Sequence, residues 1–184
     1  MPSDNELHKA AHKGDIKLCK MLIESSVGEE VPFTANDQGA SDRRPLHRAA
    51  GAGHTELCEY FLEIGAEIDA KDKSGRTALH WASISGHSEI VKLLLDRGAN
   101  VLAETAAKTN ALHSAVEANR LETVKVLMTA VATDEEKKTA LTMGKNSDDK
   151  TPWEIALAAK NNPICQALKE MGDANGASAA CLIS

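Results

Sequence analysis

Gly75-Arg76-Thr77-Ala78-Leu79-His80-Trp81-Ala82, followed after three residues by Gly86-His87-Ser88-Glu89-Ile90-Val91, is the stretch that decides the fold. Gly75 is free to take a positive φ in a turn that begins at Asp72. Thr77 offers a hydroxyl to the first unpaired amides of a helix, which the spacing predicts over Ala78 to Ser85. Ala82 and Ser83 keep that helix thin, so that a neighbouring backbone can come close, and Gly86-His87 ends it. A second helix is predicted over Ser88 to Arg97, with an apolar face of Ile90, Val91, Leu93, Leu94 and Leu95 and Gly98 as its cap. Neither helix is long enough to stand alone in water, so the pair has to bury its face on neighbours built the same way.

Those neighbours are in the sequence. The Leu79-His80 pair recurs as Leu7-His8, Leu46-His47 and Leu112-His113, at successive intervals of 39, 33 and 33 residues. Thr151-Pro152-Trp153-Glu154-Ile155-Ala156 falls into phase 41 residues later, with Trp153 in the leucine position. The turn, the two helices and the period together resemble an ankyrin repeat, over roughly residues 3 to 173. The resemblance implies an all-α ankyrin-repeat solenoid of stacked helix-turn-helix units with short β-hairpin-like fingers. The repeat domain is placed at 2–173, with repeats at about 3–36, 37–71, 72–104, 105–145 and 146–173, followed by a tail at 174–184.

Departures from the repeat carry their own expectations. Ser3-Asp4-Asn5-Glu6 reads as a capping box for the first helix. Ser25 to Gln38 is an enlarged connection, and Arg44 replaces the capping threonine while Pro45 keeps a favourable first helical position. Val131 stands where Gly65 and Gly98 end their helices, so the fourth repeat loses its usual stop. Thr133-Asp134-Glu135-Glu136 then supplies a second capping box, Lys137 to Gly144 is expected to form a short helix in place of the usual finger, and that finger is expected to be irregular.

The composition narrows the function. A formal charge of −6 with no basic stripe argues against a nucleic-acid partner. Aromatic content of 3% fits closely packed helices rather than an aromatic core. The sequence has no apolar run of membrane-spanning length, its start lacks the regions of a secretory signal, and Met1-Pro2 excludes N-terminal myristoylation. His8, His47, His80 and His113 share one repeat position, for which the resemblance implies hydrogen bonds between neighbouring turns; His54 and His87 share another. Cys19, Cys58 and Cys165 occupy a slot that Val91 and Val124 fill elsewhere, so they read as small buried hydrophobes. No phosphate loop, metalloprotease or nucleophile-elbow motif is present. The expectation is a chain that is not an enzyme, with no cofactor and no metal.

The resemblance implies that a partner is gripped by finger tips and by outward positions of the first helices. Matched residue by residue, these are Lys73, Ser74 and Arg76 with Ile84 and Ser85, then Arg43 in the preceding repeat and Glu117 in the following one; Arg48 and Trp81 sit beside them. The Arg/Lys character of this face points to a protein partner with an acidic segment, met by a monomer. Cys181-Leu182-Ile183-Ser184 closes the sequence as a cysteine, two aliphatic residues and a serine. That pattern fits a signal for a prenyltransferase, with farnesyl favoured by the final serine. The expected role is a scaffold or adaptor in the cytoplasm, reversibly membrane-associated through a farnesyl group on Cys181. The alternative is a purely soluble cytosolic or nuclear binding protein with an unmodified tail.

Overall fold

The computed structural model describes residues 3–26, 28 and 32–171. Within them five helix pairs follow one another. The first helices of the pairs are α1 (Glu6–Lys13), α3 (Pro45–Ala52), α5 (Ala78–Ser85), α7 (Ala111–Glu117) and α10 (Pro152–Ala158). The second helices are α2 (Ile16–Ser25), α4 (Thr55–Glu63), α6 (Ser88–Asp96), α8 (Leu121–Ala130) and α11 (Asn162–Met171). One extra helix, α9 (Glu135–Met143), lies between the fourth and fifth pairs. The described residues contain no β-strand.

The first helices stack as one layer, α1 on α3, α5, α7 and α10, and α4, α6, α8 and α11 stack behind them. A small residue recurs at the closest approach: Ala10, Ala49, Ala82, Ala115 and Ala156 are all buried, which brings the backbones together as the thin-helix reading requires. Between the layers lie Leu7, Leu46, Leu79 and Leu112 with Leu57, Phe61, Ile90, Leu94, Leu127 and Ile164. This is one continuous core, built one repeat at a time.

The turn between paired helices needs a left-handed residue. Gly53 has φ 89°, and a Cβ there would stand 2.6 Å from the His87 ring, so glycine satisfies both the backbone and the neighbouring repeat. In the later helix pairs the same turn is made by Asn119 (φ 58°) and Lys160 (φ 53°).

Several capping details differ from the sequence reading. The first helix is capped by Asn5, not Ser3: its side chain accepts from the His8 amide at 3.1 Å, while Asp4 is used elsewhere. Asp134, not Thr133, caps α9 by accepting from the Lys137 amide at 3.0 Å. Losing glycine at position 131 lengthens α8 by only one residue relative to α6, because Val131 is buried against the core and turns the chain there.

Candidate protein-binding face

Four fingers line one side of the stack, and each closes in the same way. The first residue donates its amide to the carbonyl of the fifth: Gly39 to Arg43 and Asp72 to Arg76 at 2.8 Å, Thr105 to Thr109 and Asn146 to Lys150 at 3.0 Å. The fourth residue is left-handed in every case: Asp42, Gly75, Lys108 and Asp149. The fourth finger is therefore regular, contrary to expectation. The eight extra residues are absorbed by α9 ahead of the finger rather than in place of it.

Side chains brace the turns from inside. Asp72 Oδ1 accepts the amides of Ser74 (2.8 Å) and Arg76 (2.9 Å), and Asn146 Oδ1 does the same for Asp148 and Lys150. The first finger has Gly39 at this position and borrows its acceptor from Asp4, whose Oδ1 takes the Ala40 amide at 2.9 Å. Backbone bonds then chain the tips together, from Lys73 N to Ser41 O, Ala106 N to Ser74 O and Ser147 N to Ala107 O.

The shared histidines fix each finger to the helix behind it. Nε2 of His8, His47, His80 and His113 lies 3.0 to 3.2 Å from the carbonyls of Arg43, Arg76, Thr109 and Lys150 respectively, the last residue of the next finger in each case. At His47 and His80, Nδ1 accepts the amide of the residue that starts the same helix, Arg44 or Thr77, so the proton sits on Nε2 and the imidazole is neutral. Burial lowers the pKa of His47 and His113 and takes His80 down to about 4. Burial likewise pushes the Cys19 and Cys58 thiols up to about 11 and about 12, as the buried-slot reading requires. Cys165 departs from that reading: on the outer flank of the fifth pair it is half-buried.

On this braced framework Arg43, Arg76 and Trp81 come together. The guanidinium carbons of Arg43 and Arg76 lie 4.3 and 5.2 Å from the Trp81 ring centroid. Trp81 Nε1 donates to Asp72 Oδ2 at 3.1 Å, and the same oxygen lies 3.8 Å from Arg43 Nε. Asp72 is thus the hub of the cluster, and the sequence reading treated it only as the start of a turn. Arg48 pairs with Asp4 at 2.5 Å. Burial opposes the Asp4 charge, but hydrogen bonds from Arg48 and the Ala40 amide outweigh it and hold the pKa below the usual value. The Arg43 pKa is lowered by burial first and then by the positive charge of Arg48.

The remaining candidates are placed as follows. Lys73 and Ser74 are exposed at the second fingertip. Ile84 is half-buried, and its carbonyl accepts from Arg120 Nε at 3.0 Å. Ser85 donates its hydroxyl to the Gly51 carbonyl at 2.8 Å, so it ties two repeats together rather than facing outward unpaired. Glu117 is exposed at the end of α7, its pKa raised by local desolvation and then by Asp148. Cys181 lies outside the described residues. No helix among the described residues is long and apolar enough to cross a membrane.

Comparison with known proteins agrees with this architecture. Residues 7–105 match the family model described as ankyrin repeats (3 copies). The 26S proteasome non-ATPase regulatory subunit 10 of Rattus norvegicus is 39% identical over 54 residues, which cover 29% of this chain and 22% of that protein. Its Homo sapiens counterpart is 39% identical over the same length, 23% of that protein. Histone-lysine N-methyltransferase EHMT1 of Mus musculus is 37% identical over 65 residues, 35% of this chain and 5% of that protein. The chain thus spans less than a quarter of the length of these relatives. With the period, the paired helices, the chained fingers and a family match across more than half its length, the chain belongs to the ankyrin-repeat family.

Proposed function

We propose that this chain is a non-catalytic scaffold or adaptor that grips a protein partner with the finger side of its stack, and that all five helix pairs serve as repeats of that stack. The observation that carries the reading is the Arg43–Trp81–Arg76 cluster, in which two guanidiniums are pre-positioned on one indole. Trp and Arg are the residue types that most often dominate binding energy at interfaces. Lys73 at the adjacent tip favours an acidic segment on the partner, and Arg48 behind it, paired with Asp4, lies on the same side. Ser74, Ile84, Ser85 and Glu117 extend the same face along the stack. The double variant Lys73→Glu/Arg76→Glu should lose the principal protein retained by the wild-type chain in pull-downs. Equal recovery by both would place the binding face elsewhere.

The proposal includes a farnesyl group on Cys181, added by a prenyltransferase, which would hold a cytoplasmic monomer reversibly at a membrane. This part rests on Cys181-Leu182-Ile183-Ser184 alone and requires Ser184 to be the carboxyl-terminal residue in the cell. The intact mass of the native protein, beside a Cys181→Ser control, tests it. Loss of Leu182 to Ser184 with an added prenyl mass is the expected result; an unmodified mass leaves a binding module without an anchor.

A further inference from the structure

The finger side is not uniformly basic, and the distribution of its unpaired charges constrains what can lie on it. At one end are Arg43 and Arg76, each with five N–H donors in a planar fork. Neither guanidinium makes a hydrogen bond to an acceptor among the described residues, and Arg43 Nε is shut away from water with no hydrogen-bond partner. Asp72 makes only a long ion pair with Arg43, Oδ2 to Nε at 3.8 Å, while its Oδ1 holds two amides and its Oδ2 the Trp81 indole. Lys73 and Arg76 have no carboxylate within ion-pair distance among the described residues. This end of the face is held rigid by stacking and sets Arg43, Arg76 and Lys73 against the single buried carboxylate of Asp72.

Further along the stack two carboxylates stand unpaired, on a stretch that also carries the exposed Lys108 and Lys150 of the third and fourth fingers. Glu117 projects from the last residue of α7, and Asp148 follows the tip residue Ser147, which is bonded to the third finger. Neither carboxylate has a Lys or Arg within ion-pair distance among the described residues. The two are close enough to raise the Glu117 pKa by mutual repulsion on top of its desolvation, with Arg76 the only cation acting against this. A uniformly acidic ligand would meet repulsion here.

We propose that the partner segment is bipolar: an acidic side chain seats on Arg43 and Arg76 beside Trp81, and a basic side chain further along the same extended segment seats against Glu117 and Asp148. This rests on the protein-binding reading of the face and adds the order of charges on its partner. The separation follows from the stack. Adjacent packed helices lie about 8–10 Å apart, and one to two such spacings separate the two ends. An extended chain advances about 3.3 Å per residue, so the opposite charges stand roughly three to six residues apart.

The test is selection from a random peptide library displayed on phage, using the full chain immobilised as bait. Parallel selections use Arg43→Ala/Arg76→Ala and Glu117→Ala/Asp148→Ala variants whose circular dichroism matches the wild type. Wild-type clones should pair an Asp or Glu with a Lys or Arg at that separation. The Glu117→Ala/Asp148→Ala bait should keep the acidic residue and lose the basic one. A synthesised wild-type clone should bind this variant about three- to tenfold more weakly. Clones that are acidic only would overturn bipolarity while leaving the binding face standing. Selection unchanged by Arg43→Ala/Arg76→Ala, or none above bare support, would overturn both.

Discussion

His80 shows how much one repeated side chain holds together. Its Nδ1 accepts from Thr77, which needs the neutral ring, and its Nε2 donates to Thr109 of the next finger. The folded pKa is about 4, depressed by burial, against about 6.5 in an unfolded chain. Above pH 6.5 both states are neutral and the contribution to stability is full. As the pH falls from 6.5 towards 4, the unfolded chain takes up a proton that the folded chain refuses, and stability declines. At roughly 1.4 kcal/mol per pKa unit, His80 alone accounts for a loss of up to about 3 kcal/mol, and His47 and His113 shift in the same direction. Urea unfolding near neutral pH and at about pH 5 should show this decline, and His80→Gln should flatten part of it. An unchanged midpoint in the wild type would mean the imidazoles are not buried neutral. Lys160 offers the converse experiment. It holds the left-handed position (φ 53°) that glycine fills at Gly53 and Gly86. Lys160→Gly should relieve strain and stabilise the chain by up to about 1 kcal/mol in the same assay, whereas Gly53→Ala should destabilise it.

At the scale of elements, α9 is the one α-helix outside the helix pairs among the described residues, and its two ends are held differently. Asp134 caps it from an exposed turn, whereas Leu141 is fully buried and its carbonyl accepts from the Asn110 side chain at 3.0 Å. Asn110 starts α7, so the insertion is tied to the repeat before it. Leu141→Ala should cost about 2–5 kcal/mol by opening a cavity, and Asp134→Ala only about 1 kcal/mol, both read by chemical denaturation. Equal costs would mean that α9 is anchored at its cap rather than in the core. That a helix stands here was legible from the capping box Thr133-Asp134-Glu135-Glu136, although that reading put the cap one residue early. That it precedes a regular finger was not, because the bracing residue Asn146 differs from Asp72, and Lys108 and Asp149 supply the left-handed turn that only Gly75 advertised. The Arg43–Trp81–Arg76 cluster was half legible for a similar reason. The repeat phase put the three residues on one face, but their meeting depends on Asp72 Oδ2, which is spare only because Oδ1 serves both finger amides.

Over the whole molecule, each pair draws its stability from neighbours, and the period that made the fold legible also orders that stability. Ala11, Ala50, Ser83 and Val116 share one repeat position and are buried there, whereas Leu157, their counterpart in α10, is 54% exposed. Cys165 is half-buried where Cys19, Cys58, Val91 and Val124 are fully buried. The α10–α11 pair therefore packs on α7, α8 and the inserted α9 but, among the described residues, on no further helix pair. A stack of this kind behaves as a row of units coupled to nearest neighbours, so opening should begin where a unit has one neighbour and end where it has two. Native-state hydrogen exchange should find the amides of α10 and α11 exchanging through a lower-energy opening than those of α5 and α6. Leu168→Ala should widen the gap by loosening the fifth pair, whereas Leu79→Ala should lower protection in α3, α5 and α7 together. If instead Leu168→Ala lowered protection equally from α1 to α11, the stack would be unfolding as a single cooperative unit, and nearest-neighbour coupling would not describe it.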